Sequence, residues 1–105
     1  MAEAWVYLLR CADDSLYTGW TVDLDARLSR HGAGTASAYT RSRRPVALAL
    51  ALPMPDRSAA MREEARIKTL DRAEKLSLIA AATATGASAS VRLPNTAARS
   101  ASFDR

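Results

Sequence analysis

Tyr7 and Tyr17 stand ten residues apart, in Trp5-Val6-Tyr7-Leu8-Leu9 and Leu16-Tyr17-Thr18-Gly19-Trp20. Arg27 follows after another ten, and His31 lies one helical turn beyond it. Glu64 comes later, in a stretch of helical character. Two phenols, a guanidinium, an imidazole and a carboxylate are the parts with which one metal ion can hydrolyse a phosphodiester. Each part also has an ordinary structural role. A tyrosine on a strand places its hydroxyl at the surface. Arg27 can pair with Asp23 and Glu64 with Lys68, both at i,i+4. A histidine near a helix C-terminus is favoured there by the helix dipole.

The elements that must position these groups are legible from hydrophobic periodicity. Residues 4–10 read as a strand with Trp5, Tyr7 and Leu9 on one face and Val6 and Leu8 on the other. Cys11 to Ser15 form a polar loop, and residues 16–20 return as the second strand of a hairpin. Pairing Arg10 with Asp14 sets Tyr7 opposite Tyr17, with Cβ atoms about 5 Å apart. Gly19 relieves crowding in that hairpin, against Trp5. Thr21 or Asp23 caps a helix over residues 24–31, which Gly32 and Gly34 end. Leu24 and Leu28 define its buried stripe, with Arg27 and His31 at the rim of the core. Residues 39–44 form a basic link. Residues 46–52 read as a third strand with Leu48, Leu50 and Leu52 on one face and alanines on the other, closed by Pro53 and Pro55. Asp56 or Ser58 caps a helix reaching about residue 70, and Asp71 caps another over residues 72–81. In the first of these, Glu64 falls between Met61 and Ile67 on the inward side, and Glu63 lies close by. Periodicity does not choose between the two acids. Trp20 reads as core and Arg30 as surface.

A chain of 105 residues is one domain with one modest core. The expected division is a domain over residues 1–83 and a flexible C-terminal tail over residues 84–105, which is rich in Ala and Ser. The net charge is +4, and arginine outnumbers lysine 13 to 2. Guanidinium holds phosphate through two parallel hydrogen bonds, which suits a polyanion partner. A GC-rich genome enriches Arg and Ala equally well, so composition leaves both readings open. A single cysteine, Cys11, excludes an intrachain disulfide and a thiolate metal cluster. With no signal-peptide pattern and no apolar run long enough for a bilayer, a cytoplasmic setting and no membrane partner are expected.

The combined pattern resembles the GIY-YIG nuclease superfamily, in particular its short, stand-alone bacterial branch of single-domain proteins. Trp5-Val6-Tyr7 stands where the first family tripeptide falls and keeps its tyrosine; Tyr17-Thr18-Gly19 keeps the tyrosine and glycine of the second. Asp23-Leu24, Arg27-Leu28 and His31 match the pattern that follows. Asp56-Arg57-Ser58 with Ala60, Glu64, Ile67 and Lys68 matches the metal-binding helix. The likeness covers residues 4–80.

This resemblance implies an α+β fold: a three-stranded antiparallel sheet flanked by helices. It implies hydrolysis of DNA with Mg²⁺ or Mn²⁺, with Tyr7 as base, Tyr17, Arg27 and His31 beside it, and Glu64 as metal ligand. Family spacing, a glutamate four before a lysine, selects Glu64 over Glu63. Arg27 on a rigid helix can hold the charge that grows in the transition state. His31 can shuttle a proton. Arg41, Arg43, Arg44 and Lys68 are candidate phosphate contacts, which carry no base sequence. The expectation is therefore a structure-selective DNA endonuclease in repair or processing, with a homodimer compatible with so small a surface. A non-catalytic nucleic-acid-binding module on the same fold is the alternative, and a protein-interaction domain is a second.

Overall fold

A computed structural model of the chain describes residues 2–84. The expected tail lies outside the described residues except for Ala84, which closes the last helix. Strand β1 (Ala4–Arg10) is the centre of a three-stranded antiparallel sheet of order β2-β1-β3, with β2 (Leu16–Thr21) and β3 (Ala47–Met54) at its edges. The α+β architecture is the one expected.

The alternation in β1 builds two cores. Tyr7 and Leu9, with Trp5 beside them, pack against Leu24 and Leu28 of helix α1 (Leu24–Ala33). Ala4, Val6 and Leu8 face the other way, onto Ala60 and Ile67 of α3 (Arg57–Lys68) and Leu78 and Ile79 of α4 (Arg72–Ala84). Two helical layers therefore sandwich the sheet. Burial of apolar surface on both faces of β1 is what a chain this short needs for stability.

Helix ends follow the side chains at hand. Asp23 caps α1 by accepting from the Ala26 amide, while Thr21 accepts from the Asp23 amide. Gly34 ends α1 in the left-handed region at φ 83°, which a residue without a Cβ adopts at little cost. Gly32 lies within the helix instead of ending it. Asp56 caps α3, and Asp71 and Glu74 accept reciprocally from each other's amides at the start of α4.

Five further expectations are corrected. Arg10 pairs with Leu16 along the backbone, not with Asp14, so Tyr7 faces Gly19 and Tyr17 faces Leu9. The Arg10–Asp14 partnership is a side-chain ion pair of 2.9 Å across the loop, and the turn runs over residues 11–15, with Asp14 and Ser15 added to it. In β3, Leu8 pairs with Leu50 but Leu9 pairs with Leu48, which leaves Ala49 as an inserted residue. Such a bulge reverses the side-chain alternation beyond it. Leu48 accordingly joins the Tyr7 side while Leu50 and Leu52 pack on the other. The strand also runs through Pro53, tolerated because β3 is an edge. The basic link contains a short helix, α2 (Ala38–Arg41), capped by Ser37. Finally, Met61 is 52% exposed; the inward line of α3 is Ala60 to Ile67, with Glu63 and Glu64 half-buried between them.

Ile67 is fully buried between α3 and the sheet. Ile67→Ala is expected to lower unfolding free energy by about 2–5 kcal/mol, read as a reduced urea midpoint at unchanged slope.

Candidate active site

The Tyr7 side chain lies across the sheet surface toward β2, in the space a side chain at position 19 would take. A Cβ on Gly19 would stand 2.6 Å from the Tyr7 hydroxyl and 2.7 Å from its ring. Gly19 thus makes room for Tyr7, not for Trp5 as the sequence suggested. The phenol is fully buried and ends at His31, whose Nε2 lies 2.8 Å from the hydroxyl.

His31 is 1% exposed and belongs to the core, beyond the rim position expected of it. Its other ring nitrogen, Nδ1, lies 2.8 Å from Thr40 Oγ1. Tyr17, diagonal to Tyr7 across the strands, sets its ring edge-on to the imidazole at 5.2 Å between centroids and 6.5 Å from the Tyr7 ring. Tyr39 continues the row at 5.7 Å from Tyr17, and the Arg43 guanidinium covers Tyr39 at 3.8 Å. Arg27 is half-buried one turn before His31, close enough to Tyr7 for its guanidinium to act on the phenol.

Burial sets the electrostatics. It pushes the Tyr7 phenol up to about 12; the Arg27 guanidinium pulls the other way, and the charges of Tyr17 and Glu64 add to the rise. Burial also pushes His31 down to about 4, and the charges of Arg27 and Arg30 push in the same direction. Both groups are therefore neutral at pH 7.

Glu64 stands on α3, in the layer on the opposite face of the sheet. Helix α3 packs under β2 and β1, and β2 is a free edge, so its carboxylate is near enough to be felt at the phenol. Its side chain is 20% exposed and meets the Lys68 ammonium at 3.3 Å. Glu63 is spent otherwise: Arg66 holds it by two hydrogen bonds of 3.0 and 2.6 Å, and that pairing keeps its carboxyl below the usual range. Of the two acids between which periodicity does not choose, Glu63 is thus paired with Arg66 and Glu64 with Lys68.

The basic link divides. Arg43 is committed to the fold: it donates to Asp13 at 3.0 Å and to the Tyr39 carbonyl at 3.0 Å. Arg44 donates to the Arg41 and Gly32 carbonyls while remaining exposed. Arg41 is exposed, and its guanidinium makes no hydrogen bond among the described residues. Cys11 is buried, and burial raises its thiol, as befits an inert side chain.

Sequence reasoning missed Thr40 and Tyr39. Both sat inside a stretch read only for its arginines. Ser37, three residues before Thr40, is a helix-capping spacing that would have exposed the short helix and placed Thr40 on its inner side.

A sheet of this order, with paired tyrosines, an arginine and a histidine on one face and a helix-borne glutamate behind it, defines a GIY-YIG-type catalytic domain. Residues 3–77 match the model of the GIY-YIG catalytic domain, and the chain belongs to the GIY-YIG family. That superfamily is one of endonucleases. The chain is 46% identical over 79 residues to a UPF0213 protein of Staphylococcus haemolyticus, covering 75% of this chain and 96% of that one. It is likewise 46% identical over 79 residues to a UPF0213 protein of Natronomonas pharaonis, covering 75% and 93%. The solution NMR structure of a UPF0213 protein from Bacillus halodurans is similar at 40% identity and a TM-score of 0.50, over 73% of this chain and 82% of that one. These single-domain relatives occur in bacteria and archaea, a wider range than the bacterial branch expected.

Two outcomes follow from the packing. Gly19→Ala is expected to displace the Tyr7 ring and cost about 1–3 kcal/mol of stability, with loss of the Tyr7–His31 hydrogen bond in NMR. For His31, the folded value of about 4 lies below the ordinary 6.5, so the unfolded chain binds more protons between these limits. Stability from this group is fully present above pH 6.5 and is lost as pH falls through 4, by a total on the order of 3 kcal/mol. Urea titrations from pH 7 to 4 of wild type and His31→Gln check this; an unchanged pH dependence in the variant would contradict it.

Proposed function

We propose that this domain is a metal-dependent endonuclease that hydrolyses DNA phosphodiester bonds, selecting DNA by structure, in repair or processing. The observation that carries this reading is the meeting of Tyr7, His31, Tyr17 and Arg27 on one sheet face, with the Glu64 charge felt at the Tyr7 hydroxyl.

In this reading Tyr7 takes a proton from the attacking water. A buried phenol at about 12 does this only if its own proton leaves at the same time, and His31 Nε2 stands 2.8 Å away to receive it. Arg27, whose guanidinium acts on the phenol, offers donors to the phosphoryl oxygens, where negative charge grows. Tyr17 walls the imidazole and orients the phosphate or water. Because each group is fixed by packing, little reorganisation accompanies the reaction.

Among the described residues, no group of three or more His, Cys, Asp or Glu side chains could hold a metal ion as a closed cage. A single half-buried carboxylate, Glu64, fits instead a hard cation that keeps most of its water, as Mg²⁺ and Mn²⁺ do. Glu64 would hold it, and the ion would supply charge neutralisation at the leaving oxygen. Lys68, now on Glu64, would be released toward the DNA backbone, joining Arg41 and Arg44; Arg43 braces the platform under them. Such contacts grip phosphates without reading bases, which favours selection by DNA structure over sequence.

Nicking of branched DNA and supercoiled plasmid with Mn²⁺ tests the assignment. Arg27→Ala and Glu64→Ala are each expected to reduce the rate by roughly 10²–10³-fold. Equal cleavage by wild type and both variants would remove the catalytic roles. Salt-sensitive binding without cleavage by any divalent ion would favour the non-catalytic module.

A further inference from the structure

Thr40 carries no charge and lies outside every motif by which the site was recognised, yet it is 0% exposed and contacts the imidazole directly. The hydrogen bonds around it fix a direction. The Thr40 hydroxyl has two acceptors on Ser37, the carbonyl oxygen at 3.5 Å and Oγ at 2.9 Å, so its proton is directed away from the imidazole. Thr40 Oγ1 is then left to accept from Nδ1, and the Tyr7 phenol donates to His31 Nε2 at 2.8 Å. A neutral imidazole that accepts at Nε2 carries its proton on Nδ1. That proton is donated to Thr40 Oγ1 at 2.8 Å. The Thr40 hydroxyl must in turn donate onward, and Ser37 Oγ stands 2.9 Å away. Ser37 is half-buried and accepts also from the Thr40 amide at 3.1 Å.

We infer that Thr40 is a positioning residue that sets the His31 tautomer, and that with Ser37 it forms a proton exit from the buried Tyr7–His31 pair. The inference rests on the nuclease reading for its use, but not for its geometry. As water attacks, its proton bonds to the Tyr7 oxygen while the Tyr7 proton passes to Nε2. The Nδ1 proton passes to Thr40 Oγ1, the Thr40 proton to Ser37 Oγ, and the Ser37 proton to solvent. The imidazole stays neutral throughout, with its proton exchanged from Nδ1 to Nε2. In the reverse direction a solvent proton enters through Ser37 and Thr40 to Nδ1, the Nε2 proton returns to Tyr7, and the Tyr7 proton goes to the leaving oxygen. The row is then as it began. A charged imidazolium, disfavoured by burial and by two nearby arginines, is never required.

His31 is the sole histidine in the sequence, so ¹⁵N labelling of histidine reads it without assignment. The whole chain is used, as wild type, Thr40→Ser and Thr40→Val, the last keeping shape without the hydroxyl. Wild type is expected to show the Nδ1–H tautomer at pH 7. Thr40→Val should lose that preference and nick supercoiled plasmid with Mn²⁺ roughly 10²-fold more slowly. Thr40→Ser should restore both. A wild-type imidazole with its proton on Nε2 would overturn the inference even if Thr40→Val fails to fold. So would a Thr40→Val variant that keeps both tautomer and rate. If wild type cuts no DNA while its tautomer is Nδ1–H and depends on the residue-40 hydroxyl, the nuclease reading fails and the positioning role stands.

Discussion

The buried hydrogen bond between Tyr7 and His31 ties the centre of the sheet to α1, and the site is organised around it. Two polar groups with no exposure between them would each cost stability if left unpaired. Their mutual bond removes that cost and in doing so fixes where both rings lie. It holds only because position 19 has no side chain; a methyl group there would occupy the place of the phenol oxygen. The glycine of the second tripeptide is thus a condition on the tyrosine of the first. Neither residue has its geometry without the other.

Burial that secures this bond also makes both partners poor acids and bases taken singly. The phenol is held at about 12 and the imidazole at about 4, so neither gains or loses a proton readily alone near neutrality. Chemistry at such a site has to be concerted along hydrogen bonds. Arg27 acts on both partners through its fixed positive charge. Its charge lowers the phenol and depresses the histidine together, which moves both toward the polarity a base and a neutral acceptor need.

The alternation in β1 and the spacing of Leu24 and Leu28 made the sandwich legible, since period-two and period-3.6 patterns report burial directly. The likeness to GIY-YIG domains gave the tyrosines, Arg27, His31 and Glu64, whose sequence separation carries no information about contact. What stayed hidden was set by single-residue irregularities. A two-residue change in turn length moved Tyr7 from opposite Tyr17 to opposite Gly19. The bulge at Ala49 carried Leu48 to the other face, and no local residue type announces it in a run of alternating Leu and Ala. Thr40 was masked by the arginines around it. The expected tail falls outside the described residues.

The arginine excess, ambiguous as composition, resolves residue by residue. Arg10 and Arg72 both hold Asp14, the loop-tip residue whose φ of 69° places it in the left-handed region. Arg43 holds Asp13 and lies over Tyr39, and Arg66 holds Glu63. A planar fork with several donors suits these ties, because it can bridge a carboxylate and a carbonyl at once, as Arg72 does with Asp14. Much of the arginine therefore braces loops that frame the site. Arg41 and Arg44 beside α2, and Arg27 near the phenol, have no carboxylate partner among the described residues and leave positive charge around the site.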